Sequence, residues 1–218
     1  MLATTTQAVA LDGVPTKAGA IAEPLAVAHH GVDLSGITPK HSALVVGAGP
    51  IGALTLQVLR ASGIEIIICS EPSDYRRGLA AKIGAGVTID PRSQAVAEEV
   101  HKVAGPLGVD FVFECTGLAE PFNQSLEALK PGGILVELGV GLAPIPIVPV
   151  MLVVREHTIK GALGYSDYFE SSLRLLQSGQ IDVDAVVSAE RPLDEVGQSF
   201  TDLAGGADLC KVLIAPRI

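Results

Sequence analysis

Gly47, Gly49 and Gly52 stand at the spacing of a G-x-G-x-x-G loop, Gly47-Ala48-Gly49-Pro50-Ile51-Gly52. Each glycine has its own physical use. The first permits a tight turn, the second lets backbone approach a pyrophosphate, and the third lets a helix lie close against a strand. With 24 glycines among 218 residues the pattern alone is weak. Its context strengthens it, because ALVVG at Ala43–Gly47 reads as a buried strand and Pro50 opens a helix. The start of that helix offers unpaired N–H groups and a partial positive charge to phosphate. Glu71 follows the next apolar run, 19 residues beyond Gly52, where a dinucleotide site places an acid against the adenosine ribose. A carboxylate there repels a 2′-phosphate and favours NAD over NADP. Arg76 and Arg77 can cover the adenine, attract a 2′-phosphate, or lie solvated on a helix surface.

The elements that position these residues follow from periodicity. Apolar runs at 43–47, 64–69, 86–89, 110–115, 133–139 and 157–163 read as strands. Amphipathic runs at 50–62, 74–83, 95–104 and 121–129 separate them, and a further one covers 168–178. Ser73 or Asp74 caps the second of these helices, and Gly84 stops it. Apolar strands alternating with helices predict an α/β fold, a doubly wound parallel six-stranded Rossmann sheet covered on both faces. Residues 1–22 read as loop-like. The tail holds strand-like AVVS, a helix near 193–203 and strand-like KVLIA, and both ends look like pieces of a second structural unit.

Composition narrows the function classes. A formal net charge of -9 without a basic cluster argues against nucleic acid or anionic membrane as partners. The apolar stretch from Ile134 to Val154 is crossed by Gly139, Gly141, Pro144, Pro146 and Pro149, so it reads as a strand followed by a proline-rich loop rather than a membrane helix. Cys69, Cys115 and Cys210 form no C-x-x-C pair, and the N-terminus has neither a basic nor a long apolar segment. A reducing, cytoplasmic location is expected.

Several segments together resemble the zinc-dependent medium-chain alcohol and polyol dehydrogenases of the sorbitol, 2,3-butanediol and threonine type. They are Glu23-Pro24-Leu25-Ala26-Val27-Ala28, VVGAGPIG, SEPS at 70–73, DFVFECTG at 110–117, LKPGGILVELG at 129–139, REHTIKGALGY at 155–165, and PLDEVGQSF with KVLIAP. The resemblance implies NAD as cofactor, with Cys115 and Thr116 lining its cleft and Leu138, Gly139 and Val140 beside the nicotinamide. It implies hydride transfer between a secondary alcohol and nicotinamide, with zinc polarising the alcohol oxygen. It further implies a homodimer through the edge strand at 157–163.

The resemblance also marks what these residues lack. The family's zinc-binding domain, with a cysteine and a G-H-E segment among its ligands, has no counterpart in the 22 residues before Glu23. Glu23 matches a carboxylate that approaches the zinc in polyol-type members, and one carboxylate makes an incomplete site. His29, His30 and His41 lack a ligand spacing, and packing or surface roles suit them better. The expected organisation is a catalytic-domain (GroES-like) remnant at 1–22, a dinucleotide-binding domain at 23–187 and a C-terminal return segment at 188–218. The expected function is the NAD(H)-binding part of an oxidoreductase, inactive alone and using zinc only if the other domain is supplied. A non-catalytic nucleotide-binding module or partner subunit is the alternative, and an S-adenosylmethionine methyltransferase is disfavoured by EPLAVA, ECTG and the PGG turn.

Overall fold

The computed structural model describes residues 8–164 and 168–216. Short helix α1 (Thr16–Gly19) leads into α2 (Ala22–Ser35). Alternation then begins: β1 (Ser42–Val46), α3 (Pro50–Ala61), β2 (Ile66–Ser70), α4 (Asp74–Ile83), β3 (Val87–Ile89), α5 (Val96–Ala104), β4 (Val109–Glu114), α6 (Ala119–Ala128) and β5 (Leu129–Glu137). α7 (Pro149–Arg155), β6 (Thr158–Gly161) and α8 (Phe169–Gln177) complete this part. The six strands form one parallel sheet in the order β3-β2-β1-β4-β5-β6, as the alternation predicts.

Side chains alternate across this sheet with the two-residue period of a strand. Val45, Phe111, Phe113 and Val136 pack into one core with residues of α2 and α3. Leu44, Val112 and Leu135 pack into the other with Val96, Val100 and Phe122 of α5 and α6. Every residue of β1 is buried, which explains its continuous apolar run. At the start of α4 the Ser73 side chain accepts from the Arg76 N–H, so Ser73 rather than Asp74 is the cap.

α9 (Val183–Val186) precedes a separate parallel pair, β7 (Val187–Arg191) and β8 (Lys211–Ile214), joined through a 3-10 turn at Leu193–Glu195 and α10 (Val196–Ala204). No helix among the described residues is long and apolar enough to cross a membrane.

Four local expectations are corrected. The first seven residues lie outside the described part, but Thr16–Gly19 and the start of α2 fall in the stretch read as loop. α2 buries Ala22, Pro24, Leu25, Ala26, Ala28, Gly31, Val32 and Ser35, so little polar face remains to betray a 3.6-residue period. α7 forms inside the stretch read as a proline-rich loop, because Pro149 occupies the first helical position, where its missing N–H costs nothing. β5 starts at Leu129, ahead of the Lys130-Pro131-Gly132 turn, which it absorbs as a register shift against Val109 and Phe111. The predicted sixth strand is shorter than expected, and Tyr165 of its motif lies outside the described residues.

Candidate functional site

β1 lies between β2 and β4, so the connections leaving β1 and β4 run to opposite faces of the sheet. Such a switch point opens a crevice beyond the carboxyl ends of the strands. The glycine loop occupies it. Gly47 donates to the Ser70 carbonyl at 2.8 Å, and Cys115 donates to the Val46 carbonyl at 2.9 Å, so the ends of β2, β1 and β4 are stitched together there.

The three glycines meet three different surroundings. Gly47 has φ +87°, the left-handed region that favours glycine. A Cβ on Gly52 would stand 1.9 Å from the Gly47 carbonyl oxygen, so no larger residue fits between α3 and the loop. A Cβ on Gly49 would meet nothing within 4 Å, and Gly49 lines the adjoining cavity. Gly49 caps α3 and Pro50 begins it, which aims the helix start at that space.

Two cavities flank the loop. One, of about 470 Å³, is lined by Gly47, Gly49, Glu71, Arg76, Cys115 and Thr116 together with Pro72, Pro91, Arg92 and Gln124. The other, of about 650 Å³, is lined by Glu23, Val27, Ile51, Leu138, Val140, Ala162, Leu163 and Gly164. The predicted site residues thus divide into two groups on either side of α3's first turn. Gly139 lines neither cavity. It is pressed against the turn after β4, where a Cβ would come within 2.0 Å of the Gly117 nitrogen.

Glu71 is buried, and its carboxylate accepts from the Ala48 N–H at 2.7 Å and the Ser73 N–H at 2.8 Å. An ionised carboxylate has about four acceptor sites, so hydroxyl groups in the cavity can still be accepted. Arg76 lines the same cavity while its Nε donates to the Leu209 carbonyl at 3.1 Å. Arg77 turns back instead, donating to the carbonyls of Glu71 and Pro72 and pairing with Asp74 and Asp90. That leaves Arg76 as the better placed of the two arginines.

Arg92 was not singled out from sequence. It lies just past β3, where the rule of carboxyl ends would have pointed. Its hydrogen bonds to Asp90 hold that carboxyl well below the usual range. Val27, Ala162 and Leu163 were likewise missed, having no chemical signature beyond being apolar.

Burial pushes the Cys69, Cys115 and Cys210 thiols up, the last to about 11. None is a thiolate near neutrality, so all three serve packing and not nucleophilic chemistry.

The donor set fits a dinucleotide: a glycine cradle with open space at Gly49, a helix start facing it, and a buried acid beside it. It does not fit a zinc ion by itself. No group of three or more His, Cys, Asp or Glu is assembled among the described residues, and Glu23 is an exposed side chain in the first turn of α2. His29 and His30 are not ligands to a common point: His29 faces the hydroxyls of Ser171 and Ser172, and His30 faces the Gly164 carbonyl.

Comparison with known proteins gives a consistent picture. The family model described as "Zinc-binding dehydrogenase" matches residues 50–178. The chain is 33% identical over 210 residues to (R,R)-butanediol dehydrogenase of Neisseria gonorrhoeae, covering 95% of this chain and 59% of that protein. It is 32% identical over 200 residues to sorbitol dehydrogenase of Homo sapiens, covering 91% and 56%. Among solved structures, 2R,3R-butanediol dehydrogenase of Bacillus subtilis superposes with a TM-score of 0.85 at 32% identity, covering 94% and 59%. A zinc-binding dehydrogenase of Sinorhizobium meliloti 1021 bound to NADP gives 0.84 at 35%, covering 91% and 59%. The chain therefore spans under three fifths of the length of these relatives.

Proposed function

The chain belongs to the zinc-binding dehydrogenase family, and we propose that it is the NAD(H)-binding part of an alcohol or polyol oxidoreductase. The observation that carries this reading is the glycine loop at the switch point with a cavity on each side. The adenosine half would lie by Glu71, Arg76 and Arg92, the pyrophosphate over Gly49, and the nicotinamide between Ile51, Leu138, Val140 and Ala162. Cys115 and Thr116 would support the dinucleotide from below. NAD supplies a hydride acceptor when bound. The chain's own residues bind it, orient it and exclude water from one of its faces.

The relatives' names supply the substrate class, a secondary alcohol or polyol. Alcohol activation by zinc would take Glu23 as a neighbour and ligands beyond those the described residues bring together. These residues alone are therefore expected to turn over alcohols negligibly. Glu71 favours NADH over NADPH in this reading, although one structural relative is bound to NADP. The domain division is proposed as 23–187 for cofactor binding and 188–218 for a return segment. The return segment is held to the cofactor loop by the Arg76 to Leu209 bond and by Cys210 Sγ beside the Ala48 carbonyl.

A homodimer through β6 completes the proposal. Ile159 and Val153, Val154 and Val150 of α7 are exposed apolar side chains around an open sheet edge. Titration of the protein with NADH and NADPH tests the cofactor reading. Saturable NADH binding, tighter than NADPH, is the expected result.

A further inference from the structure

Glu114 and Glu137 end the neighbouring strands β4 and β5 as register partners, each one residue before a cavity-lining side chain, Cys115 and Leu138. Glu114 is fully buried. Its carboxylate accepts from the Thr116 N–H at 2.9 Å, the Gly117 N–H at 2.7 Å and the Thr116 hydroxyl. It thus shapes the turn that underlies the glycine loop, where a Cβ on Gly47 would meet Thr116 Cγ2 at 2.8 Å. The Glu114 carbonyl accepts from the Leu138 and Gly139 N–H groups, tying the same turn to the end of β5.

The carboxyl oxygens of Glu137 are shielded from solvent and have no hydrogen-bond partner among the described residues; the nearby Gly139 N–H donates to the Glu114 carbonyl instead. As a carboxylate Glu137 would be a buried, unpaired charge beside another. As an acid it has an acceptor at hand. Glu114 uses three of its roughly four acceptor sites on the turn, leaving one for a proton donated by Glu137. The charge that acts on Glu137 is that of Glu114. The other charged groups on the elements packed around it are Glu120 and Glu127 of α6, Arg155 of α7 and Lys160 of β6, the last donating to the Leu34 carbonyl. The Cys115 thiol, next along β4, feels both acids and stays neutral.

We infer that Glu137 holds a proton shared with Glu114, and that this carboxyl pair is a positioning device keeping the Cys115–Gly117 turn in the shape that receives the cofactor. Burial and then the neighbouring Glu114 push the Glu137 carboxyl up to about 8, so the proton is present at neutrality and leaves in mild alkali. Loss of the proton sets two carboxylates against each other beneath the turn.

The inference rests on the cofactor reading above, and the test separates the two. NADH affinity is measured by calorimetry from pH 7 to 9.5 for the wild type and for Glu137→Gln, whose amide donates to Glu114 at every pH. Wild-type affinity should fall by up to about tenfold per pH unit above 8, and that of the variant should stay flat. Infrared spectra of the ligand-free wild type, which need no variant to fold, should show a carboxylic-acid band at pH 7 that disappears by pH 10. NADH binding that ignores pH, a variant that keeps the alkaline loss, or no acid band at pH 7 would each overturn the inference. Absence of NADH binding at pH 7 in the wild type overturns the cofactor reading and the inference together.

Discussion

The carboxylate of Glu71 accepts the backbone N–H of Ala48 at 2.7 Å, so the acid at the end of β2 holds the glycine loop at the end of β1. The residue that the motif assigns to ribose recognition is therefore also part of the loop's scaffold. Its other oxygen accepts from Ser73 at the start of α4.

Glu71→Ala should consequently do more than relax cofactor choice. It leaves the Ala48 N–H without an acceptor at a buried site, which costs roughly 1–3 kcal/mol. NADH should weaken by about tenfold, the equivalent of one charge-assisted hydrogen bond, while NADPH should weaken less. Urea unfolding and parallel titrations with both cofactors read these effects. Unchanged stability would show that the Ala48 bond carries no load, and NADPH preferred by the wild type would make Arg76 or Arg92 a phosphate ligand.

Glu137 gives stability a defined pH dependence. Its folded pKa, about 8, lies above the ordinary 4.5. Between these values the folded chain holds a proton that the unfolded chain has lost. Stability from this group is fully present below 4.5, declines as pH rises towards 8, and levels off above it. The slope is at most about 1.4 kcal/mol per pH unit, and solvent reaching the partly exposed residue reduces it. Denaturant unfolding across this window should show the decline in the wild type and a flatter profile in Glu137→Gln. Identical profiles would contradict the assignment.

The dimer proposal can be tested at a single donor. Ala162 donates to the Glu137 carbonyl at 3.0 Å, so within the parallel ladder its N–H faces β5 and that of Ile159 faces the open edge. Ile159→Pro should remove an edge donor, spare the β5 pairing and yield monomers. Light scattering on both proteins decides it. A monomeric wild type, or a proline variant that stays dimeric, would place any interface elsewhere.

Much of the fold was legible because each central strand is buried on both faces and each surface helix shows a polar side. α4 is a clear instance, running from a serine cap to Gly84 as its sequence suggests. α2 was not legible, since burial of more than half of its residues blurs the periodicity. Part of the site's backbone logic was also readable: Gly47 makes the tight turn and Gly52 the close helix packing that their spacing suggests, while Gly49 stands at open space. The Glu114 and Glu137 pair was not, because strand register, which places the two acids side by side, is absent from local sequence. Arg92 escaped for a similar reason, its place at the cavity being set by the order of β3 and β2 in the sheet.

The central claim, that a dinucleotide crosses the glycine loop at Gly49, is tested most directly by calorimetric titration of NADH into the wild type and Gly49→Val. The new side chain meets no protein atom at its Cβ, so the variant should fold, with a melting temperature lowered by about a few degrees because valine is a poorer helix cap than glycine. It projects into the space a pyrophosphate would fill, so NADH affinity should drop by about a hundredfold or more, the scale of displacing phosphate from its backbone cradle. A wild type that binds no NADH, or a folded variant that binds it as tightly as the wild type, would contradict the account.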